Sequence, residues 1–172
     1  MLTGEGLDVI VHSTHEAGYK VGGIGAVLDG LLSARAYLKN VRRTVLMGTF
    51  DLRDTAGMDR LRAPRNRFEV LYSSVDGVRQ YERADQLAAI EEAFGVRIMY
   101  GRRAFGPSAQ EVVLIDPTDA DSGRIADLKY RLWERFGLRS DQFDANYEYD
   151  LYVRAALPQF EALKIVLGAD MD

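Results

Sequence analysis

Short apolar runs alternate along this chain with longer stretches whose apolar residues recur every three or four positions. Leu7 to Thr14 holds Val9, Ile10 and Val11 in a row, which predicts a strand covered on both faces. A glycine-rich loop follows. Then comes a helix from about Ile24 to Lys39, with Ile24, Val27, Leu28, Leu31, Leu32 and Leu38 on one face and Asn40 as a left-handed cap. Thr44 to Met47 begins a second strand ending at Gly48-Thr49-Phe50-Asp51, so these elements make a βαβ unit. Residues 51–66 show no apolar period and read as a long loop.

Phe68 to Tyr72 predicts a third strand, and Ala84 to Phe94 a helix closed by Gly95. Val96 to Tyr100 and Val112 to Ile115 are two more strands, the second stopped by Asp116-Pro117. Asp121 or Ser122 caps a helix to Phe136 that turns Ile125, Leu128, Leu132, Trp133 and Phe136 inward, with Gly137 beyond its end. A last helix spans about Asp144 to Leu167. Its stripe is Tyr149, Tyr152, Val153, Ala156, Phe160, Leu163 and Leu167, and Pro158 should kink or split it. Strands alternating with helices predict an α/β sheet in one domain covering 1–172, open and mostly parallel with helices on both faces.

Composition narrows the class without naming a function. Hydrophobic residues are 47% and charged residues 28%, the balance of an ordinary soluble globular protein. The absence of cysteine excludes disulfides and thiolate metal sites and suits a reducing, cytoplasmic compartment. The first residues, Met1 to Gly6, lack a signal-peptide pattern, and no apolar run approaches the roughly 18 residues that span a membrane. A net charge of −4 gives no global attraction for nucleic acid or an anionic membrane.

The chemistry concentrates in His15-Glu16-Ala17-Gly18-Tyr19-Lys20-Val21-Gly22-Gly23-Ile24-Gly25, which joins the carboxyl end of the first strand to the first helix. Open α/β sheets bind ligands there. Free amides favour an anion, glycines let a phosphate or sugar approach the backbone, and Lys20 adds a positive charge. A P-loop is rejected, because Ile24-Gly25 stands where Lys and Ser or Thr are needed. The dinucleotide fingerprint lacks its third glycine at Leu28, although Asp51 keeps a nicotinamide-type site as a weaker alternative. His12, His15 and Glu16 lie too close on one extended stretch to converge on a metal; His12 reads as a core histidine and His15 as facing the cleft. Glu16 either pairs with Lys20 or orients the loop. Arg53, Arg60, Arg62, Arg65 and Arg67 form either a solvated loop or a meeting place for an anion. The helical spacing of Trp133, Tyr149 and Tyr152 favours core packing over stacking on sugars.

Glu16-x-x-x-Lys20-Val21-Gly22-Gly23-Ile24-x-x-Val27 resembles the N-terminal signature of glycogen synthases, in the spacing of the animal and fungal type. The likeness continues in order through Thr44–Gly48, Gly95–Arg102, Val112–Asp116, Leu132-Trp133-Glu134 and Asp144-Ala145-Asn146. The resemblance implies a Rossmann-like N-terminal half of a GT-B glycosyltransferase. It implies transfer of glucose from UDP-glucose or ADP-glucose to an α-1,4-glucan, with no metal or other cofactor. Lys20, Gly22 and Gly23 would face the donor, with His15 and Glu16 beside them. The family's next histidine motif and its C-terminal half are not in the sequence. The chain is therefore expected to be a C-terminally truncated domain, inactive alone, that partners the missing half. Leu163, Val166 and Leu167 would then be partly uncovered, with either disorder after about Gly168 or a homo-oligomer through this helix as the result. A stand-alone carbohydrate- or nucleotide-sugar-binding module without catalysis is the alternative. Neither reading involves nucleic acid or a membrane.

Overall fold

The computed structural model describes residues 6–168. In chain order the strands are β1 (Leu7–Ser13), β2 (Val41–Thr49), β3 (Phe68–Ser73), β4 (Val78–Arg79), β5 (Arg97–Phe105) and β6 (Ser108–Asp116). The helices are α1 (Gly23–Ser33), α2 (Arg35–Asn40), α3 (Thr55–Arg62), α4 (Ala84–Phe94), α5 (Ser122–Phe136) and α6 (Tyr147–Leu167). Short 3-10 turns occupy Pro64–Asn66 and Ser140–Phe143. The readings placed on Met1–Glu5 and on Ala169–Asp172 lie outside the described residues.

The six strands form one open sheet in the order β1-β2-β6-β5-β3-β4. β2 pairs in parallel with both β1 and β6, whereas β5 is antiparallel to β6 and to β3, and β4 is antiparallel to β3. The sheet is therefore mixed, which corrects the expectation of a mostly parallel one. The cause is a two-residue turn, Gly106-Pro107, that reverses the chain between β5 and β6. Gly106 sits at φ +55, the left-handed region such turns use.

Helices cover both faces. Along β2, Val45 and Met47 join the cluster of Leu87, Ile90, Ala162 and Val166 from α4 and α6. The intervening Leu46 joins Leu28, Leu32, Met58 and Leu61 from α1 and α3 on the opposite face. Met99 and Leu114 repeat this split against Ile98, Val113 and Ile115. This is the alternation of a strand buried on both sides.

Several local expectations change for identifiable reasons. β1 is an edge strand that leaves Leu7, Val9 and Val11 exposed, so it is not covered on both faces. The helix expected over 24–39 breaks at an extended Ala34. The β5–β6 hairpin abuts Ser33, and Ser108 Oγ donates to the Leu32 carbonyl at 3.1 Å, replacing a helical partner. Only Leu28 and Leu32 of the expected apolar stripe turn inward; Ile24, Val27 and Leu31 remain outside. Asn40 is no left-handed cap: it stays helical, and its Nδ2 donates to the Ala36 carbonyl at 2.7 Å.

The loop expected over 51–66 contains α3, which starts where Asp54 accepts from the Gly57 amide at 2.9 Å and is held by buried Met58 and Leu61. α6 passes through Pro158 as one helix and buries Ala155, Pro158, Ala162 and Val166, leaving Tyr152 and Phe160 exposed. At the end of α6 Val166 is covered, whereas Leu163 and Leu167 pack beside it half-buried, so the partly uncovered end expected there holds for those two and not for Val166. α5 buries only Ile125. Trp133 is 54% exposed and Phe136 76%, so they do not serve the core.

Candidate functional site

The loop after β1 is organised around one carboxylate. Glu16 is 3% exposed, and its Oε2 accepts from the amides of Val21 at 2.7 Å, Gly22 at 2.8 Å and Gly25 at 2.9 Å. Burial alone would raise this carboxyl's pKa. The three amides, with His15 beside it, outweigh that and hold it below the ordinary glutamate range. The spacing makes the clasp possible, because five and six residues of loop bring Val21 and Gly22 back over Glu16. Gly25 is required: a Cβ there would strike Glu16 Oε2 and Lys20.

This arrangement corrects one reading and decides between two others, since Glu16 orients the loop. The loop amides at Val21, Gly22 and Gly25 are not free for an external anion, since Glu16 already fills them. Nor does Glu16 pair with Lys20. The Lys20 ammonium lies 3.2 Å from Asp29 Oδ2 on α1 and is 49% exposed. Gly22 and Gly23 are exposed at the opening of α1, and a Cβ at Gly23 would meet nothing within 4 Å. Among the described residues, the amides of Gly23 and Ile24 have no loop or side-chain acceptor. They remain as the open end of the helix dipole.

His15 is exposed, with Nε2 3.8 Å from Glu16 Oε1. His12 points elsewhere and bonds the Tyr37 hydroxyl at 3.0 Å, itself 2.9 Å from Thr44 Oγ1. No group of three or more histidine or acidic side chains among the described residues could hold a metal ion. No helix there is long and apolar enough to cross a membrane. Asp51 is engaged locally, accepting from the Arg53 amide at 2.7 Å.

The arginines of 53–67 divide. Arg53 meets Asp119 at 3.2 Å and Arg62 meets Asp76 at 2.6 Å, both as surface pairs. Arg60, Arg65 and Arg67 instead converge with Lys20, Asp29 and Arg103 around a groove of about 480 Å³ flanking the loop. Reading the sequence alone missed Arg103, which lies inside a strand. The only available signal was a charged residue, with Phe105, on the face of β5 that also carries buried Met99.

Arg103 is 4% exposed and stacks over the Phe105 ring at 4.7 Å. Its Nη1 donates to the carbonyls of Glu16 and Ala17, both at 3.2 Å, which fastens the loop to the sheet. Burial pulls its pKa down, opposed by the charges of Asp29 and Glu16. A guanidinium remains protonated regardless. No protein-family model matches the chain, and no curated protein matches it.

Proposed function

We propose that this chain is the N-terminal, donor-facing part of a glycogen-synthase-type glycosyltransferase. The whole enzyme would move glucose from a nucleoside-diphosphate glucose to an α-1,4-glucan. The observation that supports this reading is the Glu16 clasp, which supplies a physical reason for the Glu-x-x-x-Lys-Val-Gly-Gly spacing. The clasp makes the loop rigid while leaving Gly22, Gly23 and the Lys20 side chain facing outward at the carboxyl end of β1. A rigid loop with an open helix start and a mobile cation can stabilise charge that grows on a departing diphosphate.

Glu16 in this reading is a positioning residue, and Lys20 touches the donor. The acceptor, the second half of the cleft and the GT-B arrangement belong to the same proposal. The test is Lys20→Ala in this chain joined to a C-terminal glycosyltransferase half. Turnover should fall by about two to three orders of magnitude, the loss expected when one preorganised charge-stabilising donor is removed. Unchanged turnover and donor affinity would overturn the assignment. Donor binding by the joined protein with no transfer would favour the binding module without catalysis.

A further inference from the structure

We infer that the groove beside the loop is a binding site for a small phosphoanion, with Arg103 as its anchor and Asp29 as an internal stand-in for the ligand. The inference does not need the glycosyltransferase reading. It shares Lys20 with the Lys-Val-Gly-Gly element, but it turns on arginines outside that element and on the geometry of one buried guanidinium.

The groove runs against the charge of the whole chain. The protein carries a net −4, yet this groove is lined by Lys20, Arg60, Arg65, Arg67 and Arg103, with Asp29 the one acid among the described lining residues. Arg60, Arg65 and Arg67 form no ion pair among the described residues, although the neighbouring Arg53 and Arg62 both do. Like charges gathered without partners repel each other, so their convergence calls for an anion between them.

Arg103 supplies the second, independent observation. Its Nη1 is spent on the two loop carbonyls. The opposite edge of the guanidinium, Nε with Nη2, makes no hydrogen bond among the described residues, and Nε is fully buried without a partner. That edge is the fork that grips two oxygens of a phosphate or carboxylate side by side. A buried donor left unsatisfied is rare enough to require an explanation. The nearest acid is Asp29, whose Oδ1 stands 4.0 Å from Nη2, too far for a hydrogen bond.

Asp29 thus spans Lys20 at 3.2 Å and Arg103 at 4.0 Å without fully satisfying either. It is 42% exposed, so swinging its carboxylate into water has little energetic consequence. A phosphoryl group entering between Lys20 and Arg103 would displace Asp29, meet Arg103 at Nη2 with the unpartnered Nε behind it, and gain Arg65 and Arg67 from the rim. No covalent step is involved. The groove's volume suits a small molecule.

Titration calorimetry of the 172-residue chain with pyrophosphate and with inorganic phosphate, in about 0.15 M salt, tests this directly. Pyrophosphate should bind one to one. Arg65→Gln with Arg67→Gln should weaken it at least about tenfold, as expected for lost charge-assisted contacts. Arg103→Met should do the same. Asp29→Asn should tighten binding roughly threefold or more by removing the competing carboxylate, a gain that a merely structural Asp29 would not give. The rim and Asp29 variants alter exposed or half-exposed side chains, so they decide the matter even if Arg103→Met fails to fold. Equal affinity for the two anions would assign a single phosphoryl group as the ligand chemistry, and tighter pyrophosphate a diphosphate. No saturable binding below about 10 mM, a pyrophosphate isotherm indifferent to the rim variants, or weaker binding in Asp29→Asn would overturn the inference.

Discussion

Helices α4 and α5 are two amphipathic segments of similar sequence logic with opposite fates. α4 packs on the sheet beside α6, and its Ala84, Leu87 and Ile90 are all buried. α5 has an equally clear apolar stripe and both caps, Asp121 accepting from the Arg124 amide at 2.8 Å and Gly137 at φ +66. Yet only Ile125 reaches the interior, while Tyr130, Trp133 and Phe136 face outward. Amphipathic periodicity and caps specify that a segment is a helix. What the apolar side meets depends on whether the sheet extends beneath it.

Two truncations should separate the two helices most clearly. Leu87→Ala should cost about 3 kcal/mol, because it opens a cavity between α4 and the sheet. Trp133→Ala, although it removes more atoms, should stay within about 0.5 kcal/mol. Chemical denaturation measures both, and a Trp133 variant as damaging as the Leu87 one would mean that α5 is packed. Next in size is Glu16→Gln, which exchanges a carboxylate receiving three amides for a neutral amide. About 2 kcal/mol should be lost, the range of hydrogen bonds to a charged group.

The pH dependence follows from the same carboxylate and from Glu111. Burial would raise the Glu111 pKa, but Arg43, bonded at 2.6 and 2.9 Å, and the Tyr100 hydroxyl hold it down. Both glutamates therefore have folded pKa values below the unfolded value of about 4.3. Their stabilisation is complete above that value and is lost as pH falls through the folded pKa. Thermal unfolding should show a decline below about pH 4 that is shallower in Glu16→Gln. Smallest of all, Phe136→Ser should leave stability within about 0.5 kcal/mol. Reduced scattering at high concentration would show that the exposed α5 stripe promotes association.

The elements that could be read from sequence are those whose determinants are local. Helix α4 ending at Gly95, α5 beginning at Asp121 and the strand at Val112–Ile115 needed only periodicity, caps and apolar runs. The Glu16-to-Gly25 segment could be recognised as the focus because glycine, acid and lysine spacing is also local. Strand direction was not legible. An apolar run buried on both faces reads the same either way, and the reversal depends on Gly106-Pro107 acting as a turn. The basic groove was hidden for another reason. Arg103 is separated from Lys20 by most of the sheet in sequence, and only the pairing of β5 with β6 brings it under the loop. β1 was misjudged because an edge strand and a central strand can share the same apolar triplet.

The Gly106-Pro107 reversal also orders events in time. β5 and β6 pair in unbroken register from Phe105↔Ser108 to Arg97↔Asp116, so each new contact closes only a slightly longer loop than the last. Hairpins of this kind form in microseconds, whereas β1 gains its parallel pairing only after finding β2 across a helical crossover. The hairpin is thus the natural nucleus, and the strand that launches the Glu16 loop docks late. Hydrogen exchange should show β1 amides opening well before those of β5 and β6. The phosphoanion groove, which needs both the loop and Arg103, can exist only once β1 and β5 have both docked.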